Sequence, residues 1–162
     1  MYRIAIITAS DKGSRGERED ISGQVIREMC QDLAIISSYE ILADERGLIS
    51  SALKRLCDED LADVVFTTGG TGFSPRDVTP EATLDVIERL APGIPEAMRA
   101  KSLQVTNRAM LTRAVAGIRK GTLIVNLPGS PKAVRECLEV ILPALGHGID
   151  ILRGKDAECA RI

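Results

Sequence analysis

An α/β fold is predicted by three features of this sequence. Tyr2–Thr8 (YRIAIIT) is an apolar, isoleucine-rich run, and β-branched residues packed this densely favour a strand. Further short apolar runs alternate with stretches whose apolar residues recur at helical spacing, as they do where strands and helices take turns along a chain. Two of the later runs end in glycine-containing turns that lead straight into a helix start: Thr67–Ala82 (TTGGTGFSPRDVTPEA) and Asn126–Ala133 (NLPGSPKA).

Composition limits what such a domain does. The 162 residues, 44% of them hydrophobic, suffice for one domain with a substantial core, spanning residues 1–162. A formal charge of −2 and a pI near 5.5 argue against non-specific nucleic-acid binding. With 2% aromatic residues there is little to build a base-stacking platform. The longest apolar runs fall short of a membrane span, and no signal-peptide pattern precedes the first strand. A cytoplasmic protein with no membrane partner is expected. Cys30, Cys57, Cys137 and Cys159 are scattered; the first three fall at apolar helical positions, where reduced core thiols are expected.

The elements follow in order. After the first strand come Ser10, Asp11 and a polar loop, Lys12–Glu19. Asp20 then suits a helix cap, with Ile21, Val25, Ile26, Met29, Cys30 and Leu33 on one helical face. Ile35–Leu42 is a second strand, followed by Asp44 and a helix whose apolar face carries Leu48, Ile49, Ala52, Leu53, Leu56 and Cys57. Asp44 suits an N-cap. It also sits just beyond the carboxyl end of a strand, where open α/β sheets place their ligands. Asp11, Asp44 and Asp77 share this position, and carboxylates gathered at one sheet edge suit a magnesium–nucleotide site.

A third strand, Ala62–Phe66, enters the first glycine turn. Gly69, Gly70 and Gly72 allow backbone N–H groups to approach a ligand closely, and a helix N-terminus favours anions. Arg76 and Asp77 add a guanidinium and a carboxylate, suited to phosphate and to a metal ion. No Walker lysine follows the glycines and no G-x-G-x-x-G is present. Thr79 is the expected cap and Pro80 the first helical residue of a helix to about Leu90. Pro92, Gly93 and Pro95 restart a helix towards Val105, with Ser102 reading as a solvated hydroxyl. Met110–Ile118 is compatible with a strand, an edge segment or a loop. Thr122–Val125 is a strand entering the second turn, where Asn126 suits a turn or a ligand role equally. Ser130 caps and Pro131 opens an amphipathic helix through Val134, Cys137, Leu138, Ile141, Leu142 and Leu145. His147, the single histidine, reads as a helix-end residue. The tail, Leu152–Ile162, shows no pattern and is expected to be loosely held.

The two glycine turns together resemble the molybdopterin-binding domain family, which includes bacterial MogA and MoaB, the plant molybdopterin adenylyltransferase domain and the G domain of gephyrin. Supporting matches are Ser10-Asp11, Asp20–Gly23, Ala43–Glu45 and Ala109–Arg119, so the likeness spans Ile4 to about Gly148. It implies a three-layer α/β/α sandwich with a mostly parallel sheet. MogA-type members transfer AMP from Mg-ATP to the molybdopterin phosphate with release of pyrophosphate, and a separate protein or domain then inserts the metal. The family is typically trimeric. By resemblance, Asp44 and Asp77 are the catalytic and Mg2+-binding carboxylates. Gly69, Gly70, Thr71 and Gly72 form the cradle loop, and Asn126, Pro128, Gly129 and Ser130 the second binding loop. Ser10 and Asp11 join this set, and Ser102 matches a serine implicated in pterin binding. The intact Pro-Arg-Asp-Val-Thr-Pro run and the Asn before Leu-Pro-Gly point to the MogA type. The alternatives are a non-catalytic pterin carrier or scaffold, or a MoaB-like paralogue.

Overall fold

The computed structural model describes residues 1–155. One six-stranded sheet has the order β2-β1-β3-β6-β5-β4. Its strands are β1 (Tyr2–Ala9), β2 (Ala34–Leu42), β3 (Val64–Thr68), β4 (Arg89–Leu90), β5 (Ala116–Arg119) and β6 (Thr122–Leu127). The first four positions in that order run parallel, while β5 and β4 are antiparallel additions at one edge. The helices are α1 (Asp11–Ser14), α2 (Ile21–Cys30), α3 (Arg46–Asp58), α4 (Thr79–Leu84), α5 (Gly93–Leu103) and α6 (Pro131–Leu152), with a 3-10 turn at Asn107–Leu111.

Strand alternation makes two cores. Ile4, Ile6, Val64, Phe66, Leu123 and Val125 face α2, α5 and α6, whereas Ala5, Ile7, Val65 and Ile124 face α3 and α4. Successive side chains on a strand point to opposite faces, so a sheet covered on both sides is apolar at every position. Burying one side chain such as Phe66, fully enclosed here, contributes about 1.5–3 kcal/mol. Cys30, Cys57 and Cys137 are buried in these cores as expected, and burial pushes the Cys30 thiol up to about 11.

The chain reverses direction across the sheet after β2, returning past β1 to form β3. Ligands of open α/β sheets bind in the crevice outside the strand ends at such a switch point. Register places Thr8 beside Thr68 and Thr68 beside Leu127, so the turns after β1, β3 and β6 emerge side by side.

Several elements differ from expectation. The expected polar loop after Asp11 contains the one-turn α1, capped by Ser10, whose Oγ accepts from the Gly13 N–H at 2.9 Å. The helix expected from Thr79 to Leu90 stops at Leu84. Beyond it the backbone pairs with β5: the Glu88 N–H donates to the Ile118 carbonyl at 2.8 Å and Ala91 to Ala116 at 2.9 Å. Sheet pairing takes the hydrogen bonds that a longer helix would have used. Thr79 does not cap; Val78 is the N-cap residue, with no side-chain cap bond. The Thr79 hydroxyl is buried without a hydrogen-bond partner among the described residues. Met110–Ile118 divides between the 3-10 turn and β5. Asp20 and Ser130 do cap α2 and α6. In the tail, Leu152 closes α6, and Arg153 pairs with Asp60 and Asp63 at 2.7 Å each. Residues 156–162, Cys159 among them, lie outside the described residues.

Candidate functional site

A cavity of about 700 Å3 opens at the switch point. Its walls come from the turns after β1, β2, β3 and β6 and from the start of α2: Ser10, Asp11, Asp44, Gly69, Gly70, Asp77 and Gly129 line it, as do Thr8, Lys12, Arg18, Asp20, Ser22 and Thr68.

The glycine turn after β3 needs its glycines. Gly69 (φ 88°) and Gly70 (φ 68°) occupy left-handed backbone conformations, which L side chains adopt only at a cost. A Cβ on Gly69 would stand 2.5 Å from the Ala9 carbonyl oxygen, so this turn packs directly on the end of β1. Thr68 fastens the turn to its neighbour by donating its hydroxyl to the Pro128 carbonyl at 2.6 Å. Ser22 similarly donates to the Gly129 carbonyl at 2.7 Å.

The acidic groups divide by environment. Asp11 accepts from Arg76 at 2.9 and 3.0 Å, and this guanidinium, with the Asp44 backbone N–H, holds its carboxyl below the ordinary aspartate range. Asp44 moves the other way. Burial raises its pKa, as do the like charges of Asp11 and Asp77, against the lowering by the Asp11 backbone N–H and Arg76. Removing a carboxylate from water without a cation beside it favours the protonated form. Asp44 does not cap a helix: the N-cap residue of α3 is Glu45, and it makes no side-chain cap bond. Instead the Asp44 carboxylate accepts from the Asp11 N–H at 2.9 Å. Asp77 accepts from the Ser74 N–H at 3.1 Å.

Among the described residues, no cluster of three or more His, Cys, Asp or Glu side chains could hold a metal by itself. Asp44 and Asp77 nonetheless line one cavity, and the Asp44 carboxylate is held by a backbone N–H. This fits Mg2+, which takes one or two carboxylates and draws its remaining oxygens from water and phosphates. Lys12 and Arg18, on the same walls, would complement phosphate charge.

Other expected site residues fall elsewhere. Thr71, Gly72 and Ser130 sit in the two turns but do not line the cavity. Ser102 lines a second cavity of about 200 Å3, with Pro128, Met98, Thr112 and Cys137; its hydroxyl lies 3.9 Å from the Cys137 sulfur. Asn126 is fully buried. Its amide nitrogen donates to the Thr67 and Thr83 hydroxyls at 2.9 and 2.8 Å, and its amide oxygen accepts from the Val115 N–H at 3.2 Å. These bonds tie β6 to β3, α4 and the approach to β5, so Asn126 shapes the turn without reaching the cavity. His147 lies at the other end of the sheet, next to Gly146, whose carbonyl accepts from the Tyr2 hydroxyl at 3.1 Å.

Sequence reading gave no site role to Lys12, Arg18, Thr8 or Ser22, and read Asp20 as a cap within the matched Asp20–Gly23 segment. Asp20 caps α2 through the Gly23 N–H at 2.9 Å, yet it also lines the cavity and accepts from the Thr8 hydroxyl at 2.5 Å and from the Tyr39 hydroxyl. The available signal was position, since all of these residues lie between the end of β1 and the start of α2.

Residues 5–147 match the family described as "Probable molybdopterin binding domain". The chain belongs to this family. Among relatives, a molybdopterin adenylyltransferase of Helicobacter pylori (strain J99) is 47% identical over 154 residues, covering 93% of this chain and 88% of that protein. The Escherichia coli (strain K12) protein of the same name is 41% identical, covering 91% and 79%. Among solved structures, the molybdopterin biosynthesis enzyme MoaB from Thermus thermophilus superposes with a TM-score of 0.90 at 46% identity, over 95% of this chain and 98% of that one. The fold is therefore shared along nearly the whole chain.

Proposed function

We propose that this protein is a molybdopterin adenylyltransferase, transferring AMP from ATP to the terminal phosphate of molybdopterin and releasing pyrophosphate. The carrying observation is the convergence of Asp44, Asp77, the Gly69-Gly70 turn, Lys12 and Arg18 on one cavity at the switch point. Relatives that bear this name at 47% and 41% identity support the same reading.

The residues suit the chemistry. The pterin phosphate is itself an anionic nucleophile, so the attack on the α-phosphorus needs no general base. What it needs is alignment of two anionic groups and neutralisation of the charge that builds between them. Lys12 and Arg18 supply cationic groups at the cavity wall, and the glycine turn offers backbone N–H groups with no side chain in the way. Asp44 and Asp77 would hold Mg2+, which supplies Lewis-acid stabilisation of the phosphate oxygens. Asp11, already neutralised by Arg76, shapes the position of Asp44.

A homotrimer and a separate metal-insertion protein belong to the same reading, as the resemblance implies them, and with them goes the cytoplasmic location expected from the composition. No helix among the described residues is long and apolar enough to cross a membrane. The test is pyrophosphate release by purified protein with Mg-ATP and molybdopterin. Release that requires both substrates supports the reading. Bound pterin with no release would make the protein a carrier.

A further inference from the structure

We infer that Arg113 is a positioning residue for this transfer, acting through the loop that carries Asp77; the inference rests on the adenylyltransferase reading. Arg113 lies between the 3-10 turn and β5, far along the chain from the glycine turn. Its Nε donates to the Gly72 carbonyl at 2.8 Å and its Nη2 to the Asp77 carbonyl at 2.8 Å. Its Nη1 pairs with Glu81 in the first turn of α4, and its backbone N–H donates to the Thr71 carbonyl at 2.8 Å. One planar guanidinium thus joins the entry of the loop, its exit and the helix that follows.

Between these anchors, Phe73–Arg76 are exposed. On the outer side the loop is held by Arg76, which reaches Asp11 and Glu45 at 2.9 Å. Exposed ion pairs of that kind contribute little rigidity. The partly buried fork of Arg113 has three nitrogens fixed in one plane, each with an acceptor, and a lysine ammonium cannot reproduce that geometry. Arg113 is not among the residues lining the switch-point cavity. Its effect on chemistry must therefore pass through where it places Asp77, and a misplacement of about 1 Å in a reacting constellation can cost on the order of 100-fold in rate.

The test compares wild type, Arg113→Lys and Arg113→Met in three measurements: pyrophosphate release, Mn2+ binding by electron paramagnetic resonance without substrates, and thermal unfolding. For Arg113→Lys the expected result is a folded protein with a Tm a few degrees below wild type and an ATP KM near wild type. With these go a kcat lowered about tenfold or more and a severalfold weaker Mn2+ affinity. Wild-type kcat and Mn2+ affinity in Arg113→Lys would overturn the inference. So would activity lost only in proportion to folded protein, or failure of both variants to fold, since either assigns Arg113 to stability alone. A wild type that releases no pyrophosphate would instead sink the adenylyltransferase reading, and the Mn2+ comparison would still decide whether Arg113 governs Asp77.

Discussion

Asp11 and Asp44 exchange hydrogen bonds reciprocally: the Asp11 N–H donates to the Asp44 carboxylate at 2.9 Å, and the Asp44 N–H donates to the Asp11 carboxylate at 3.0 Å. The exchange locks the turn after β1 to the turn after β2 across adjacent parallel strands. It also gives the two aspartates different work. Asp11 is paired with Arg76, while burial raises the pKa of Asp44.

Replacing Asp44 removes one carboxylate from the cavity and leaves most of its wall in place. Asp44→Ala is expected to lower pyrophosphate release by on the order of 100-fold or more while leaving pterin binding, followed by fluorescence, largely intact. Equal loss of both in a folded variant would take Asp44 out of catalysis. Asp77→Ala should also impair turnover, and an unchanged steady-state rate would leave that carboxylate a turn residue.

Gly70→Ala should damage the turn. The substitution combines a φ of 68° with a Cβ only 2.3 Å from the Thr79 hydroxyl and 3.2 Å from the Asp44 carboxylate. A destabilisation of about 1–3 kcal/mol is expected, with activity lost through the shifted Asp44. Gly148→Ala is the control: it lies within α6 with nothing within 4 Å of its Cβ point, and should stabilise by roughly 0.5–1 kcal/mol. Denaturant midpoints for the two variants moving in the same direction would refute the strain argument.

Asn126→Leu tests whether that amide works for the fold. The substitution strands the Val115 N–H and strips two threonine hydroxyls of a donor, so unfolding free energy should fall by about 1–3 kcal/mol. Protein that remains folded should keep an ATP KM near wild type. A large KM increase at unchanged stability would instead restore Asn126 as a ligand residue.

Asp58 sets an acid dependence. Arg119 donates to both of its oxygens, at 2.9 and 2.8 Å, and Lys120 adds a contact at 3.0 Å. Arg119 first, then Lys120, holds this carboxyl well below the ordinary aspartate value of 3.8. A carboxylate depressed by folding stabilises the fold above its unfolded pKa and loses that contribution as pH falls through the folded value. The Tm gap between wild type and Asp58→Asn should hence be constant at neutral pH and close in acid, below 3.8. A gap that widens in acid would contradict the assignment.

Much of the cavity was legible because its parts are local. Gly69-Gly70, Asp44 and Asp77 each follow a strand, and in an open parallel sheet all such positions lie along one edge. Ser102 and Asn126 were not placed by the same reasoning. Whether a side chain at a strand end or on a helix points into a crevice or into the packing beneath it depends on partners distant in sequence. Asn126 meets Thr67 and Thr83, and Ser102 meets Cys137, only after the layers close.

The sequence by itself determined the α/β alternation, the helices capped by Asp20 and Ser130, and the family, since periodicity, caps and glycine turns are written in neighbouring residues. Tertiary structure alone decided where α4 ends, because the hydrogen bonds that make β4 come from β5. It also decided that Arg76 neutralises Asp11 while burial works against the charge of Asp44, and that Arg113 grips the Asp77 loop. Each of these outcomes is set by a contact between segments that the linear order keeps apart, and only the packed sheet brings those segments within hydrogen-bonding distance.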